Sequence, residues 1–143
     1  MITKADHLTE IELQTISNIW LRSNTSAHDF IPAKYWNNNF DSVKQQFKSA
    51  TIYLAYDNEK IAGFMGMQDN YVAGIFIEDI NMHHGLGKAL ICEAKNNYPN
   101  LNLSVYVKNQ NAIEFYLAQG FSKVSENIDP ETNEEEIEMT WSK

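Results

Sequence analysis

The stretch IFIEDINMHHGLGKAL, residues 75–90, joins an apolar run to a helix through a turn that holds two glycines. The first amides of a helix lack partners within the helix and carry a partial positive charge. Gly85 and Gly87 would let an anion approach those amides closely. The stretch predicts a strand, an anion-binding turn and a helix, although a Gly-rich turn without any ligand fits the same pattern.

Two nucleotide-binding motifs do not fit this turn. Lys88 stands at the wrong spacing for a P-loop, and no Ser or Thr follows it. A dinucleotide fingerprint needs a βαβ unit, whereas antiparallel hairpins are expected before this turn.

Adjacent His83 and His84 point apart at a turn, and no Cys or acidic residue stands at a zinc-site spacing. We therefore expect no metal site.

The rest of the chain alternates between helical and strand periodicity. A strand at 2–4 precedes two amphipathic helices, the first opening with a capping-box pattern from Thr9 to Glu12 and the second at Pro32. Further elements are expected at residues 51–56, 61–67, 71–78, 85–97, 101–107, 111–119, 121–128 and 135–141. The order βααβββαβαββ predicts an α+β fold, with a mixed, mostly antiparallel central sheet flanked by helices on both faces.

Length and composition are those of an ordinary globular domain. At 143 residues the chain is expected to form one domain, 1–143, which buries roughly 70% of the surface that the unfolded chain exposes. Hydrophobic residues make up 43% and charged residues 21%, and no apolar run is long enough to cross a bilayer. These values argue against a membrane protein.

Charge and cysteine content bear on partners and location. The net charge of −8 argues against a nucleic-acid partner, because such binding depends on attraction to phosphates. Much of the negative charge lies in ENIDPETNEEEIE, residues 126–138, and such a run is usually a solvated face. The N-terminus shows no apolar core of signal-peptide type, and the single Cys92 agrees with a reducing compartment. We therefore expect a cytoplasmic protein.

The second half of the chain makes the interpretation specific. The segment VKNQNAIEFYLAQGF, residues 107–121, follows the Gly-rich turn, and together they resemble the acyl-CoA-dependent GNAT superfamily of N-acetyltransferases. In that family a loop Q/R-x-x-G-x-G/A binds pyrophosphate, and a later segment N-x-x-A-x-x-x-Y-x-x-x-G-F completes the site. The matching residues are Gly85, Gly87, Asn109, Ala112, Tyr116, Gly120 and Phe121. The resemblance implies the GNAT fold and acetyl-CoA as co-substrate.

The resemblance also implies which residues contact acetyl-CoA. A backbone amide at the end of the preceding strand would polarise the thioester carbonyl, and the loop amides from about 83 to 88 would bind the pyrophosphate. Met82 stands where the family has Arg or Gln, so this side-chain contact is missing. The implied set is Phe76, Ile77, Met82, His83, His84, Gly85, Leu86, Gly87, Lys88, Ala89 and Asn109. Asn109 is also a candidate helix cap, in competition with Asn111.

For proton transfers the candidates are few. Tyr116 matches the family tyrosine that lies near the CoA sulfur, so it is the candidate acid for the leaving thiolate, although a half-buried packing role fits the helical spacing. No residue stands out as the base for the amine: Glu78, Asp79 and His28 are more typical of structural or solvated positions. Cys92 follows an apolar helical run and is expected to be buried, so direct transfer without a covalent intermediate is expected.

The acceptor is the least specific part of the prediction. Candidates for an acceptor pocket are aromatic and polar residues around the connection between the first two helices, with one from the strand expected at 71–78: His28, Phe30, Tyr35 and Tyr71. The segment IWLRSNTSAHDFIPAKYW, residues 19–36, resembles more narrowly the small bacterial YiaC-type members, to which peptidyl-lysine acetylation is attributed. A small-molecule amine acetyltransferase and a weakly active CoA-binding regulatory module remain as alternatives, and either a monomer or a homodimer is compatible with the sequence.

Overall fold

The computed structural model describes residues 1–143 and confirms the predicted order of elements. In chain order these are β1 (Ile2–Ala5), α1 (Glu10–Ala27), α2 (Ala33–Phe47), β2 (Thr51–Asp57), β3 (Lys60–Gln68), β4 (Tyr71–Ile77), α3 (Leu86–Asn97), β5 (Asn100–Tyr106), α4 (Gln110–Ala118), β6 (Ser122–Ile128) and β7 (Glu135–Ser142). One turn of 3₁₀ helix, Asp79–Asn81, lies between β4 and α3. None of the four α-helices combines the length and the apolar character needed to span a bilayer.

All seven strands form one sheet in the order β1-β2-β3-β4-β5-β7-β6, and only β4 and β5 pair in parallel. The mixed, mostly antiparallel sheet predicted from the sequence is thereby confirmed. Side chains alternate between the two faces of a strand, so β2 sends Ile52 and Leu54 to one core and Tyr53 to the other. The helices α1 and α2 cover the first face, and α3 and α4 cover the second.

The feature of the sheet that positions a site is the gap between β4 and β5. Their only paired residues are Tyr71 and Asn102, where the Asn102 N–H donates to the Asn70 carbonyl at 3.1 Å. From that point the two strands run on without further pairing, toward Ile77 and Tyr106. Unpaired strand edges therefore face each other across a gap that opens at the carboxyl ends of β4 and β5.

The start of α1 is stabilised by the predicted capping box. Thr9 Oγ1 accepts the Glu12 N–H at 3.1 Å, and Glu12 Oε1 accepts the Thr9 N–H at 2.9 Å. We expect Thr9→Ala to lower the free energy of unfolding by about 1 kcal/mol, because one helix amide loses its acceptor. Urea unfolding measures this change. Ser26→Ala, on the same helix with no side-chain hydrogen bond, is the control, and equal effects of the two substitutions would contradict the cap.

Candidate active site

The N-terminus of α3 presents a row of free backbone amides. Gly85 is its N-cap, with φ of 82°, and no side chain caps the helix. None of the N–H groups from His83 to Lys88 donates a hydrogen bond within the protein. A Cβ built on Gly85 meets no atom within 4 Å, so the space beside this residue is open. The predicted anion-binding geometry is therefore present in the backbone.

Three of the predicted loop residues also make contacts within the protein. The Ala89 N–H donates to the Gly85 carbonyl at 3.0 Å, so this amide makes the first helical hydrogen bond and is unavailable to a ligand. A Cβ on Gly87 would lie 3.3 Å from Phe115 Cζ, so the glycine lets α4 pack closely against α3. Leu86 is half-buried and packs on the adjoining core.

The side chains around these amides are exposed and unpaired. Met82 is 43% exposed, and His83, His84 and Lys88 are exposed as well. None of the four makes a salt bridge or a side-chain hydrogen bond. Lys88, in the first turn of α3, adds a positive charge beside the free amides. The two histidines belong to no group of three or more residues that could hold a metal ion.

The end of β4 offers one amide to the gap. The Glu78 N–H donates to the Ala62 carbonyl of β3 at 2.8 Å. Backbone groups alternate in direction along a strand, so the Phe76 amide also faces β3, whereas the Ile77 amide faces the unpaired side of β4. Of the two residues predicted to contact the thioester, Ile77 therefore directs its N–H into the gap, and Phe76 directs its N–H toward β3.

The side chain of Tyr116 extends from α4 into the core, where it is 8% exposed and makes edge-on ring contacts with Phe115 and Phe121. Its hydroxyl has no hydrogen-bond partner in the chain. Burial raises the pKa of Tyr116, and the neighbouring Tyr71 adds to the rise. The phenol therefore keeps its proton throughout the neutral range, as an acid for a thiolate must.

An aromatic group lies between the α1–α2 loop, α2 and the end of β5. His28 stacks on Trp36 with ring centroids 5.5 Å apart and meets the Tyr106 ring edge-on at 5.1 Å. Phe30 also contacts Tyr106, at 5.8 Å, and Tyr35 contacts Trp36 at 4.9 Å. Three of the four predicted pocket residues are thus brought together.

Two residues change the predicted composition of this group. Tyr71 makes none of these ring contacts and lies at the start of β4, where β4 and β5 are paired, so it does not belong to the group. Tyr106 was missed from the sequence, because it reads only as one alternating position in a strand. Its signal is its place as the last residue of β5, at the open end of the gap.

Carboxylates from the β6–β7 loop, residues 129–134, close over the aromatic group. The Tyr106 hydroxyl donates to Asp129 Oδ2 at 2.6 Å, and the Tyr35 hydroxyl donates to Glu131 Oε2 at 3.3 Å. Burial, with the charges of Glu131 and Asp129, raises the pKa of Tyr35 to about 12. Burial and the hydrogen bond to Asp129 raise the pKa of Tyr106. The expectation of a merely solvated acidic run is therefore wrong for half-buried Asp129, whereas Glu131 is exposed and also bonds the Tyr35 hydroxyl.

Asn109 caps α4 and contacts His28 at the same time. Its Oδ1 accepts the Ala112 N–H at 3.2 Å, and its Nδ2 lies 3.0 Å from His28 Nε2. Asn109 is the N-cap of α4, so the competing cap at Asn111 is wrong. Each end of the side-chain amide thus makes one contact within the protein, which leaves one N–H and one oxygen lone pair without a partner in the chain.

Burial lowers the pKa of His28 from 6.5 to about 4. The fold thus favours the neutral ring, and this contribution to stability is complete above pH 6.5 and is lost as pH falls toward 4. We expect His28 to account for at most about 3 kcal/mol of unfolding free energy over that range. Urea unfolding at pH 7, 5.5 and 4.5 measures it against His28→Phe, whose dependence on pH should be shallower; parallel curves would contradict the assignment.

Of the other candidates for proton transfer, Glu78 makes contacts that hold the fold together and Asp79 faces solvent. Glu78 accepts two hydrogen bonds from Arg22 Nη2, at 2.8 and 2.9 Å, which joins the end of β4 to α1. Asp79 is exposed in the turn that follows. Cys92 is exposed on α3, so its predicted burial is wrong.

Comparison with known proteins agrees with this geometry. The family model described as "Acetyltransferase (GNAT) domain" matches residues 12–141. The peptidyl-lysine N-acetyltransferase YiaC of Escherichia coli (strain K12) is 36% identical over 132 residues, which cover 91% of this chain and 90% of YiaC. The peptidyl-lysine N-acetyltransferase YjaB of the same organism is 30% identical over 104 residues, which cover 72% of this chain and 71% of YjaB.

A solved structure supports the fold independently. The solution structure of apo-form YjaB from Escherichia coli has a TM-score of 0.83 and 24% sequence identity, with 99% of this chain and 96% of that chain covered. Together, the family match and the two relatives confirm the acyl-CoA-dependent N-acetyltransferase activity expected from the sequence. The chain belongs to the GNAT family of acetyltransferases.

Proposed function

We propose that residues 1–143 form one catalytic unit that transfers an acetyl group from acetyl-CoA to a lysine side chain of a protein. The observation that carries the choice of acceptor is the similarity to YiaC, which extends over nine-tenths of both chains. The geometry agrees with it, because Asp129 and Glu131 put negative charge beside the aromatic group at the open end of the gap. A cationic lysine is attracted by such a surface.

Acetyl-CoA supplies the acetyl thioester, and the residues of the chain that fit it lie in two places. The amides of residues 83 to 88 at the N-terminus of α3 make no hydrogen bond within the protein and the space beside Gly85 is open, which suits a pyrophosphate group. Lys88 adds a positive charge there. The unpaired edges of β4 and β5 offer hydrogen-bonding groups to the extended pantetheine arm of acetyl-CoA, which would lie between the two strands.

Two groups assist the acyl transfer in this proposal. The Ile77 N–H, directed into the gap, stabilises the negative charge that develops on the carbonyl oxygen. The Tyr116 hydroxyl donates its proton to the leaving sulfur, since burial keeps the phenol protonated and no other group competes for it. The acceptor amine loses its proton to solvent, because a flexible lysine always has a small neutral population.

A thiol-release assay with acetyl-CoA and a panel of acceptors tests this function. The panel contains a lysine peptide with a blocked N-terminus, a lysine-free peptide with a free N-terminus, and polyamine, aminoglycoside and amino-acid acceptors. We expect turnover on the lysine peptide above that on every other acceptor. Preference for a small amine would replace the proposed acceptor, and acetyl-CoA binding without turnover on any acceptor would favour a regulatory module.

A further inference from the structure

A chain of hydrogen bonds runs from α1 to the start of α4. Asn24 Nδ2 donates to the Trp20 carbonyl at 2.9 Å, which directs Asn24 Oδ1 toward His28 Nδ1 at 3.1 Å. At the other end, Asn109 Oδ1 accepts the Ala112 N–H, which directs Asn109 Nδ2 toward His28 Nε2 at 3.0 Å. Backbone groups thus set the orientation of both asparagines.

These orientations leave His28 with one protonation state. Asn24 offers it an oxygen, so Nδ1 carries the proton, and Asn109 offers an N–H, so Nε2 keeps its lone pair. The other tautomer and the imidazolium would each place two donors face to face at Asn109. Burial acts in the same direction, since it lowers the pKa of His28 to about 4.

We propose that His28 is a positioning residue, whose neutral Nδ1–H form holds the N-terminus of α4 against the α1–α2 loop in the geometry used for acyl transfer. The inference rests on the proposed function, because α4 also carries Tyr116. Asn109 and Tyr116 are about two helical turns apart, so they lie on the same side of α4. A change in the contact between His28 and Asn109 therefore moves the hydroxyl that donates to the sulfur.

No charged group bonds either ring nitrogen of His28. The elements that pack around it carry, among other ionisable groups, Asp29, Tyr35, Tyr106, Lys108, Asp129, Glu131 and Glu134, and burial alone accounts for the lowered pKa of His28. The two tyrosines bond the two loop carboxylates, and Lys108 pairs with Glu134 at 3.1 Å. Asp29 is exposed. Both ring nitrogens of His28 contact side-chain amides alone.

Asn109→Asp tests the proposal, because the variant should need the protonated His28 ring for activity, whereas the wild type needs the neutral ring. The new carboxylate still caps α4, but it accepts where the amide donated, so only the protonated His28 ring can donate to both Asn24 and the new carboxylate. In this variant kcat should fall as pH rises through the pKa of His28, whereas the wild type shows no such fall. We expect the loss to be at least about tenfold, because small misplacements of reacting groups are costly. KM for acetyl-CoA should change less than kcat. A pH profile like that of the wild type would overturn the proposal.

His28→Phe is the second variant, in case the first does not fold. It keeps the ring stacked on Trp36 and removes both ring-nitrogen contacts. We expect a folded protein whose kcat is lower by a similar factor, whereas His28→Gln, which can still accept from Asn109, should recover part of the activity. Equal kcat in His28→Phe and the wild type would overturn the proposal.

The ¹⁵N spectrum of the imidazole separates the failure of this inference from that of the proposed function. In the wild type we expect Nδ1 protonated and Nε2 bare at neutral pH, and in Asn109→Asp both nitrogens protonated. A bare Nδ1 in the wild type would overturn the inference even if the enzyme is active. A wild type that binds acetyl-CoA and acetylates no amine would overturn the proposed function, while the spectrum still decides which tautomer the contact holds.

Discussion

Tyr116→Phe is expected to lower kcat by about a hundredfold or more, the usual contribution of a positioned general acid. The substitution removes only the hydroxyl, which has no hydrogen-bond partner in the chain, and leaves the ring contacts with Phe115 and Phe121 in place. The free energy of unfolding should therefore change by less than about 0.5 kcal/mol. Steady-state thiol release and urea unfolding measure the two quantities on the same preparation.

Tyr98→Phe is the matched control for Tyr116→Phe. Tyr98 follows α3 as its C-cap, and its hydroxyl also makes no side-chain hydrogen bond, so its removal should leave both kcat and stability unchanged. Because the pKa of Tyr116 is raised, the wild type should show no loss of kcat from ionisation of this group up to pH 9. Unchanged turnover in a folded Tyr116→Phe protein would assign the tyrosine to packing alone.

Gly85→Val is expected to weaken acetyl-CoA binding by about tenfold or more, which corresponds to at least about 1.4 kcal/mol. Gly85 has φ of 82°, a conformation that β-branched residues avoid, so the turn must change and with it the positions of the free amides around it. The new side chain also occupies the open space beside residue 85. Calorimetric titration with acetyl-CoA measures the affinity.

Asn58→Val is the control for the backbone strain that Gly85→Val introduces. Asn58, in the turn between β2 and β3, has φ of 57° and is exposed, so Asn58→Val imposes comparable backbone strain away from α3. Both variants should lose about 1–2 kcal/mol of unfolding free energy. Only Gly85→Val should lose affinity for acetyl-CoA. Equal affinities in the two variants would move the cofactor away from this loop.

Much of the fold was predictable because its signals are local. The capping pattern from Thr9 to Glu12 and the proline at Pro32 mark helix starts within the residues that form them. The change from helical to alternating spacing after α2 marks the hairpins in the same way. The glycine at 85 likewise predicts a turn of positive φ beside a helix start.

The acceptor side was less predictable because its contacts join distant parts of the chain. The bond between Tyr106 and Asp129 depends on how β5 and the β6–β7 loop meet, and neither residue carries a local signal. Which amide of β4 faces the gap depends on the register with β3, and a shift of one residue would exchange Phe76 and Ile77. The contact between His28 and Asn109 likewise exists only after α1 and α4 are placed.

The most direct test of the central claim is mass spectrometry of a lysine peptide after incubation with acetyl-CoA and the wild-type protein. The peptide has a blocked N-terminus and basic residues beside its single lysine. We expect one acetyl group on the lysine side chain, at a rate that drops sharply with Tyr116→Phe. A lysine that stays unmodified while the protein binds acetyl-CoA and acetylates a small amine would contradict peptidyl-lysine as the acceptor.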